Sequence, residues 1–222
     1  MRFYRGLTVP ADNAVTTVAE IKERGLITNN WSWRTEHHRP VSGLLDKHEL
    51  SLDDTRPKDV TWTPAVCACG DLDGASYYAW SHNQTNTNNT PIIIEFEAEL
   101  EQVAIDGKDC LYTVFQMGDP PKARKFLRAA FGEKVLTYAE RAWQTENQGR
   151  RIALCDLSIH DPEVVMAHHS NILVIGGRYC TVFRSAFTVA LPILAKNIRN
   201  VWVPEERSYK PYADVKLADL LK

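Results

Sequence analysis

Near the start of the chain, Arg5 follows Phe3 and Tyr4 and precedes Gly6. An arginine carries its donors in a planar, permanently charged fork, suited to a phosphate or to a ribose and an amide. A glycine beside it lets a ligand approach the backbone closely. A second group is Tyr77 and Tyr78, within Gly74-Ala75-Ser76-Tyr77-Tyr78-Ala79. A tyrosine ring stacks on a flat heterocycle, worth about 0.5–1.5 kcal/mol beyond the area it buries. Helix neighbours diverge by about 100°, so at most one of the pair faces a cleft, and Tyr78 is preferred. Other reactive residues promise less. Cys67-Ala68-Cys69 puts two thiols on one strand face, but lacks a second cysteine pair at metal spacing and reads as buried thiols. His37-His38 and His168-His169 diverge as neighbours, so no metal site is expected. Five cysteines, an odd number, argue against a disulfide framework.

These residues need elements to hold them. Residues 2–9 read as an opening strand ended by Pro10. Asp12 or Asn13 caps a helix to about Arg24, with Val15, Val18 and Ile21 at helical spacing and Gly25 as its stop. Trp31 and Trp33 alternate onto one face of an extended segment. Residues 39–59 read as a long surface connection with a short helix around Leu44 to Leu50. Residues 60–69 read as extended, 70–74 as a turn, 75–82 as a short aromatic helix and 83–90 as a loop. Ile92 to Leu100 is the strongest strand, and 103–112 adds a second short strand around a turn at Asp106-Gly107. Pro120 or Pro121 opens a helix to about Phe131 with Lys122, Arg124, Lys125 and Arg128 on its exposed sides. Strands are expected at 134–144, 150–158 and 172–183, and a helix after Asp161-Pro162. A further helix is expected around 187–199 and a late strand over 197–204. Strands and helices do not alternate regularly, which predicts an α+β fold. It is read as one domain over residues 1–222, with core elements in about 1–145 and a C-terminal extension of the same domain in about 146–222.

Composition excludes several classes. Of 222 residues, 44% are hydrophobic and 24% charged, ordinary for a globular chain. No apolar run approaches the ~18 residues of a membrane helix. The first residues lack the apolar stretch of a signal peptide, so a soluble, cytoplasmic protein without membrane partners is expected. The phosphate-binding loop, the dinucleotide-binding glycine fingerprint, the nucleophile elbow and the zinc-protease motif are all missing. The net charge is −2, but unevenly spread. Residues 40–118 carry 4 basic and 13 acidic side chains, whereas 119–151 carry 8 basic and 4 acidic ones. That argues against broad nucleic-acid binding and leaves room for a local anionic ligand.

The opening Phe3-Tyr4-Arg5-Gly6 resembles the start of the ADP-ribosyltransferase superfamily, which commonly opens with an aromatic, then Arg or His, then often Gly. The order of later elements is also similar: Ile21-x-x-x-Gly25-Leu26 after the first strand, then Gly74 to Ala79, then the apolar strand at Pro91–Glu97. The resemblance covers about residues 2–100. It implies a mixed, split β-sheet with flanking helices and an NAD cleft. NAD would be the co-substrate, Arg5, Gly6, Tyr77 and Tyr78 would bind it, and Arg5 with a later glutamate would be catalytic. Glu140, in Leu136-Thr137-Tyr138-Ala139-Glu140, is the first choice. Glu205 and Glu206 come second, Glu95 and Glu97 third. A carboxylate near the ribose can steady the positive charge that develops as the glycosidic bond breaks. The implied reaction moves ADP-ribose from NAD to a macromolecular acceptor, a protein or a nucleic acid, in the manner of microbial toxins and effectors, with an inhibitory antitoxin as a further partner. NAD hydrolysis and a non-catalytic α+β binding module remain the alternatives.

Overall fold

The computed structural model describes residues 1–27, 37–39, 61–82, 88–107, 110–116, 121–177, 182–206 and 212–220, with the backbone alone at 37–39, 61–63 and 81–82. The expectations for Trp31 and Trp33, for the connection over 40–59 and for the loop at 83–87 lie outside the described residues. In chain order the elements are β1 (Arg2–Pro10), α1 (Ala14–Arg24), β2 (His37–Arg39), β3 (Thr61–Thr63), β4 (Ala65–Cys69), α2 (Leu72–Tyr77) continued by a π-helical turn (Tyr78–His82), and β5 (Asn89–Glu97). There follow β6 (Val103–Ile105), α3 (Leu111–Gln116), α4 (Pro121–Phe131), α5 (Lys134–Trp143), α6 (Gln148–Ser158) and α7 (Pro162–His169). The chain closes with β7 (Ile175–Gly176), β8 (Val182–Phe183), β9 (Ala186–Ala190), β10 (Ile198–Trp202), β11 (Val215–Lys216) and α8 (Leu217–Leu220).

The fold is α+β. Six strands form one sheet in the order β10-β5-β1-β4-β9-β6. Every pairing in it is antiparallel, which corrects the expected mixed sheet. Among the described residues, parallel pairing occurs between β7 and β11 of a small second sheet. Residues beyond 146 supply β9 and β10, so the late chain is woven into the sheet beside the early strands.

Strand β1 shows how the sheet is seated. Phe3, Leu7 and Val9 belong to the main core, whereas Tyr4 packs with Ala75, Ala79, Trp80, Ile93 and Trp202 on the opposite face. That is the two-residue alternation of a strand buried on both sides. α2 and its π-helical turn cover the Tyr4 face, and α1 packs against β1, β5 and β10. In α1 Ile21 is buried and Val18 partly buried against the core as expected, but Val15 is 82% exposed, and Ala14 and Thr17 complete the buried face. The helix stops where predicted. Gly25 has φ 78°, and a Cβ there would lie 2.1 Å from the Ile193 carbonyl oxygen.

Helices α3 to α7 form a layer of their own. The strands expected at 134–144 and 150–158 are the helices α5 and α6. Val135, Leu136, Ala139 and Ala142 are buried on one side of α5, a helical and not an alternating period. The helix expected around 187–199 is replaced by β9, a 3-10 turn at Ala195–Asn197 and β10. Over 172–183, only β7 and β8 are strands among the described residues. The second strand expected over 103–112 is only β6, since α3 starts at Leu111. The helical layer meets the sheet through aromatic side chains. His168 of α7, stacked on Phe131 of α4 at 4.3 Å, packs against Phe187 of β9 at 5.3 Å, and Phe187 in turn meets Phe3 of β1 edge-on at 5.3 Å.

Candidate functional site

The strand carrying Arg5 sits where the main sheet divides. β1 pairs with β5 from Arg2↔Glu97 to Pro10↔Asn89. Against β4 its only registered pair is Tyr4↔Cys69, and beyond it the two strands part. Arg5 is the next residue into that split. Its Nη1 donates to the Cys67 carbonyl of β4 at 2.6 Å. Arg5 is only 6% exposed. By strand alternation its side chain leaves β1 on the side of Phe3 and Leu7. Burial pulls the guanidinium below its usual pKa, against a smaller opposing effect of the Cys67 and Cys69 thiols. An arginine nevertheless keeps its proton in a protein. The sheet therefore holds a fixed positive charge at the fork between two central strands.

The residue beside it does something the sequence did not announce. A Cβ on Gly6 would lie 1.9 Å from the Ala75 carbonyl oxygen and 2.7 Å from the Ala79 nitrogen. The close approach that Gly6 allows is that of α2, whose backbone lies directly on β1. This contact brings Tyr77 and Tyr78 to the same strand as Arg5. The two rings meet edge to face at 5.7 Å, and both are half-buried.

Asp71, not singled out in the sequence, fixes that helix. Its Oδ1 accepts from the Gly74 backbone N–H at 2.8 Å as the N-cap of α2. Burial is the largest influence on its carboxyl and raises the pKa, against opposing effects from the Gly74 bond and Arg184. An aspartate before a helix with a glycine three residues on is a readable capping signal, here hidden because Gly70 to Gly74 reads as a turn.

The carboxylates lie elsewhere. Glu140 sits on α5 and accepts a hydrogen bond from Arg124 of α4, with both side chains part-exposed. Its helix packs mainly on α3, α4, α6 and α7, whereas β1 packs mainly on β4, β5, α1 and α2. The structure thus places Gly6 and the tyrosine pair against one face of β1, turns the Arg5 side chain to the other, and seats Glu140 in the separate helical layer. Glu95 is opposite Tyr4 on β5 and pairs with Arg2 at 3.3 Å. Glu97 accepts from Arg199 at 2.6 Å, which holds its pKa below the usual range. Glu205 and Glu206 follow β10 and are exposed.

Cys69 is buried and Cys67 half-buried, and burial pushes the Cys69 thiol well up. No group of three or more metal-binding side chains occurs among the described residues. No described helix is long and apolar enough to cross a membrane. No protein-family model, curated protein or solved structure matches this chain.

Proposed function

We propose that the chain binds NAD at the split between β1 and β4 and transfers its ADP-ribose to a macromolecular acceptor. The observation that carries this reading is the buried Arg5, tied to the Cys67 carbonyl at the point where the two strands part. A fixed charge there suits a dianionic dinucleotide, and a guanidinium engages phosphate by paired hydrogen bonds. The tyrosine-bearing helix, pressed on the same strand through Gly6, offers the aromatic surface for a flat nicotinamide ring. A ligand entering the split would meet Arg5 from one side of β1 and the tyrosine helix from the other.

In the proposed reaction the bond between nicotinamide and ribose breaks, and nicotinamide leaves with the bonding electron pair. The acceptor's nucleophile forms the new bond to the sugar, and its proton passes to a carboxylate or to water. Arg5 holds the dinucleotide and Tyr78 orients the ring. Glu140, the first choice for the charge-stabilising carboxylate, lies in the helical layer and is held by Arg124, and this separation favours a second reading, a nucleotide-binding module that performs no transfer.

Labelled NAD incubated with the protein and a cell lysate separates the readings. Label appearing on protein or nucleic acid, and lost in Arg5→Ala and Glu140→Gln, supports transfer. Nicotinamide release without labelled polymer indicates hydrolysis. NAD binding without any turnover indicates the module, and neither binding nor turnover overturns the proposal.

A further inference from the structure

From Pro121 to Trp143 the chain carries six cations against two carboxylates, a net of +4 on a protein of net −2. The remainder of the chain therefore carries −6. The folded helices sort these charges by face. α4 buries Ala123, Phe126, Leu127, Ala130 and Phe131, and α5 buries Val135, Leu136, Ala139 and Ala142. What they turn outward includes the exposed Lys122, Lys125 and Arg128 on α4 and Arg141 on α5. The two carboxylates bond within the patch, Glu133 to Arg128 and Glu140 to Arg124, which fixes the arginines without cancelling the positive excess. Arg124 also lies over the Trp143 ring, 5.3 Å from its centroid. The patch thus pairs exposed ammonium groups with a guanidinium lying over an indole.

We propose that the outer face of α4 and α5 docks single-stranded nucleic acid. Lysine ammonium groups meet phosphates without reading sequence. A guanidinium plane on an aromatic ring receives an unstacked base, which an acidic polypeptide does not supply. This surface is independent of the NAD reading. If both hold, it names the acceptor class as nucleic acid.

The test is anisotropy of a labelled, mixed-sequence single-stranded DNA titrated with the full chain, without NAD, across a salt series. The surface predicts that the logarithm of the binding constant falls linearly with the logarithm of salt, with a slope of roughly −2 to −3 for three or four neutralised phosphates. Lys122→Glu with Lys125→Glu is expected to weaken binding at least about tenfold and to flatten the slope by about one to two. An abasic strand of equal length is expected to bind several-fold more weakly. Both lysines are exposed, so an unchanged thermal midpoint shows that the double variant is folded. No binding at low salt, or equal binding by the folded double variant, overturns the proposal. Poly-glutamate competing as well as the DNA overturns it in favour of an acidic protein. Because NAD is left out, these outcomes do not depend on the nucleotide reading.

Discussion

Gly6 lies so close to Ala75 that a Cβ would stand 1.9 Å from the Ala75 carbonyl oxygen. The atom it would meet is backbone and cannot swing aside. Gly6→Ala is therefore expected to lift α2 from β1 and to cost roughly 1–3 kcal/mol, as overpacking of a filled core does. Urea unfolding measures the loss. Because α2 and its π-helical turn carry Tyr77 and Tyr78, the same variant should weaken NAD binding beyond what stability explains. Unchanged stability would mean that the strand and helix are less closely packed than described.

His168 predicts a pH dependence. Its Nδ1 lies 3.0 Å from the Ala130 carbonyl, and its Nε2 accepts the Ala186 backbone N–H at 3.1 Å. These partners require a neutral ring with its proton on Nδ1. Burial, the largest cause, lowers its pKa to about 4 from an ordinary 6.5. The unfolded chain then binds the proton first, so the stabilisation is complete above about pH 6.5 and is lost as pH falls towards 4. At pH 4 the loss approaches about 3 kcal/mol. Urea midpoints at pH 7.5 and 4.5 should show this fall, and His168→Gln should be less stable at pH 7.5 with a flatter profile.

Asp71 separates capping from charge. Asp71→Ala removes the bond to the Gly74 N–H and should cost about 1 kcal/mol. Asparagine caps a helix as well as aspartate. The folded carboxyl has a raised pKa, so its ionised form is the one that burial disfavours, and this contribution to stability falls as pH rises through that pKa. Asp71→Asn should therefore match or exceed the parent at pH 7 in thermal unfolding, while Asp71→Ala falls below it.

Glu140 tests a different separation. Its bond to Arg124 joins two part-exposed side chains, and such pairs are worth under about 1 kcal/mol. Glu140→Gln should leave the urea midpoint nearly unchanged. Abolished ADP-ribose transfer in a stable variant would give Glu140 a chemical role despite its place in the helical layer. Undiminished transfer would remove it.

The sequence was legible where patterns were local. β1, β5, α4, the stop at Gly25 and the helix after Asp161-Pro162 follow from alternation, capping and proline placement. It misled at α5, where Val135, Thr137, Tyr138 and Trp143 favour strands but Ala139 and Ala142 complete a helical burial stripe. β9 pairs Ala186–Ala190 with Ala65–Cys69, more than a hundred residues away, and no local pattern encodes such a partner. The same holds for the candidate site. Arg5, Tyr77 and Tyr78 could be singled out by type and order. The parting of β1 from β4 is a non-local pairing, and the contact of Gly6 with α2 is a tertiary approach. Both had to be seen in the fold.

Calorimetric titration of NAD into the protein and its Arg5 variants tests the central claim most directly. Saturable one-site binding is predicted for the parent. Arg5→Ala should weaken it roughly ten- to hundredfold, the worth of a charge-assisted hydrogen bond. Arg5→Lys, which keeps the charge but not the fork, should fall between, and thermal midpoints confirm which variants remain folded. No NAD binding by the parent, or equal affinity in a folded Arg5 variant, would contradict the account.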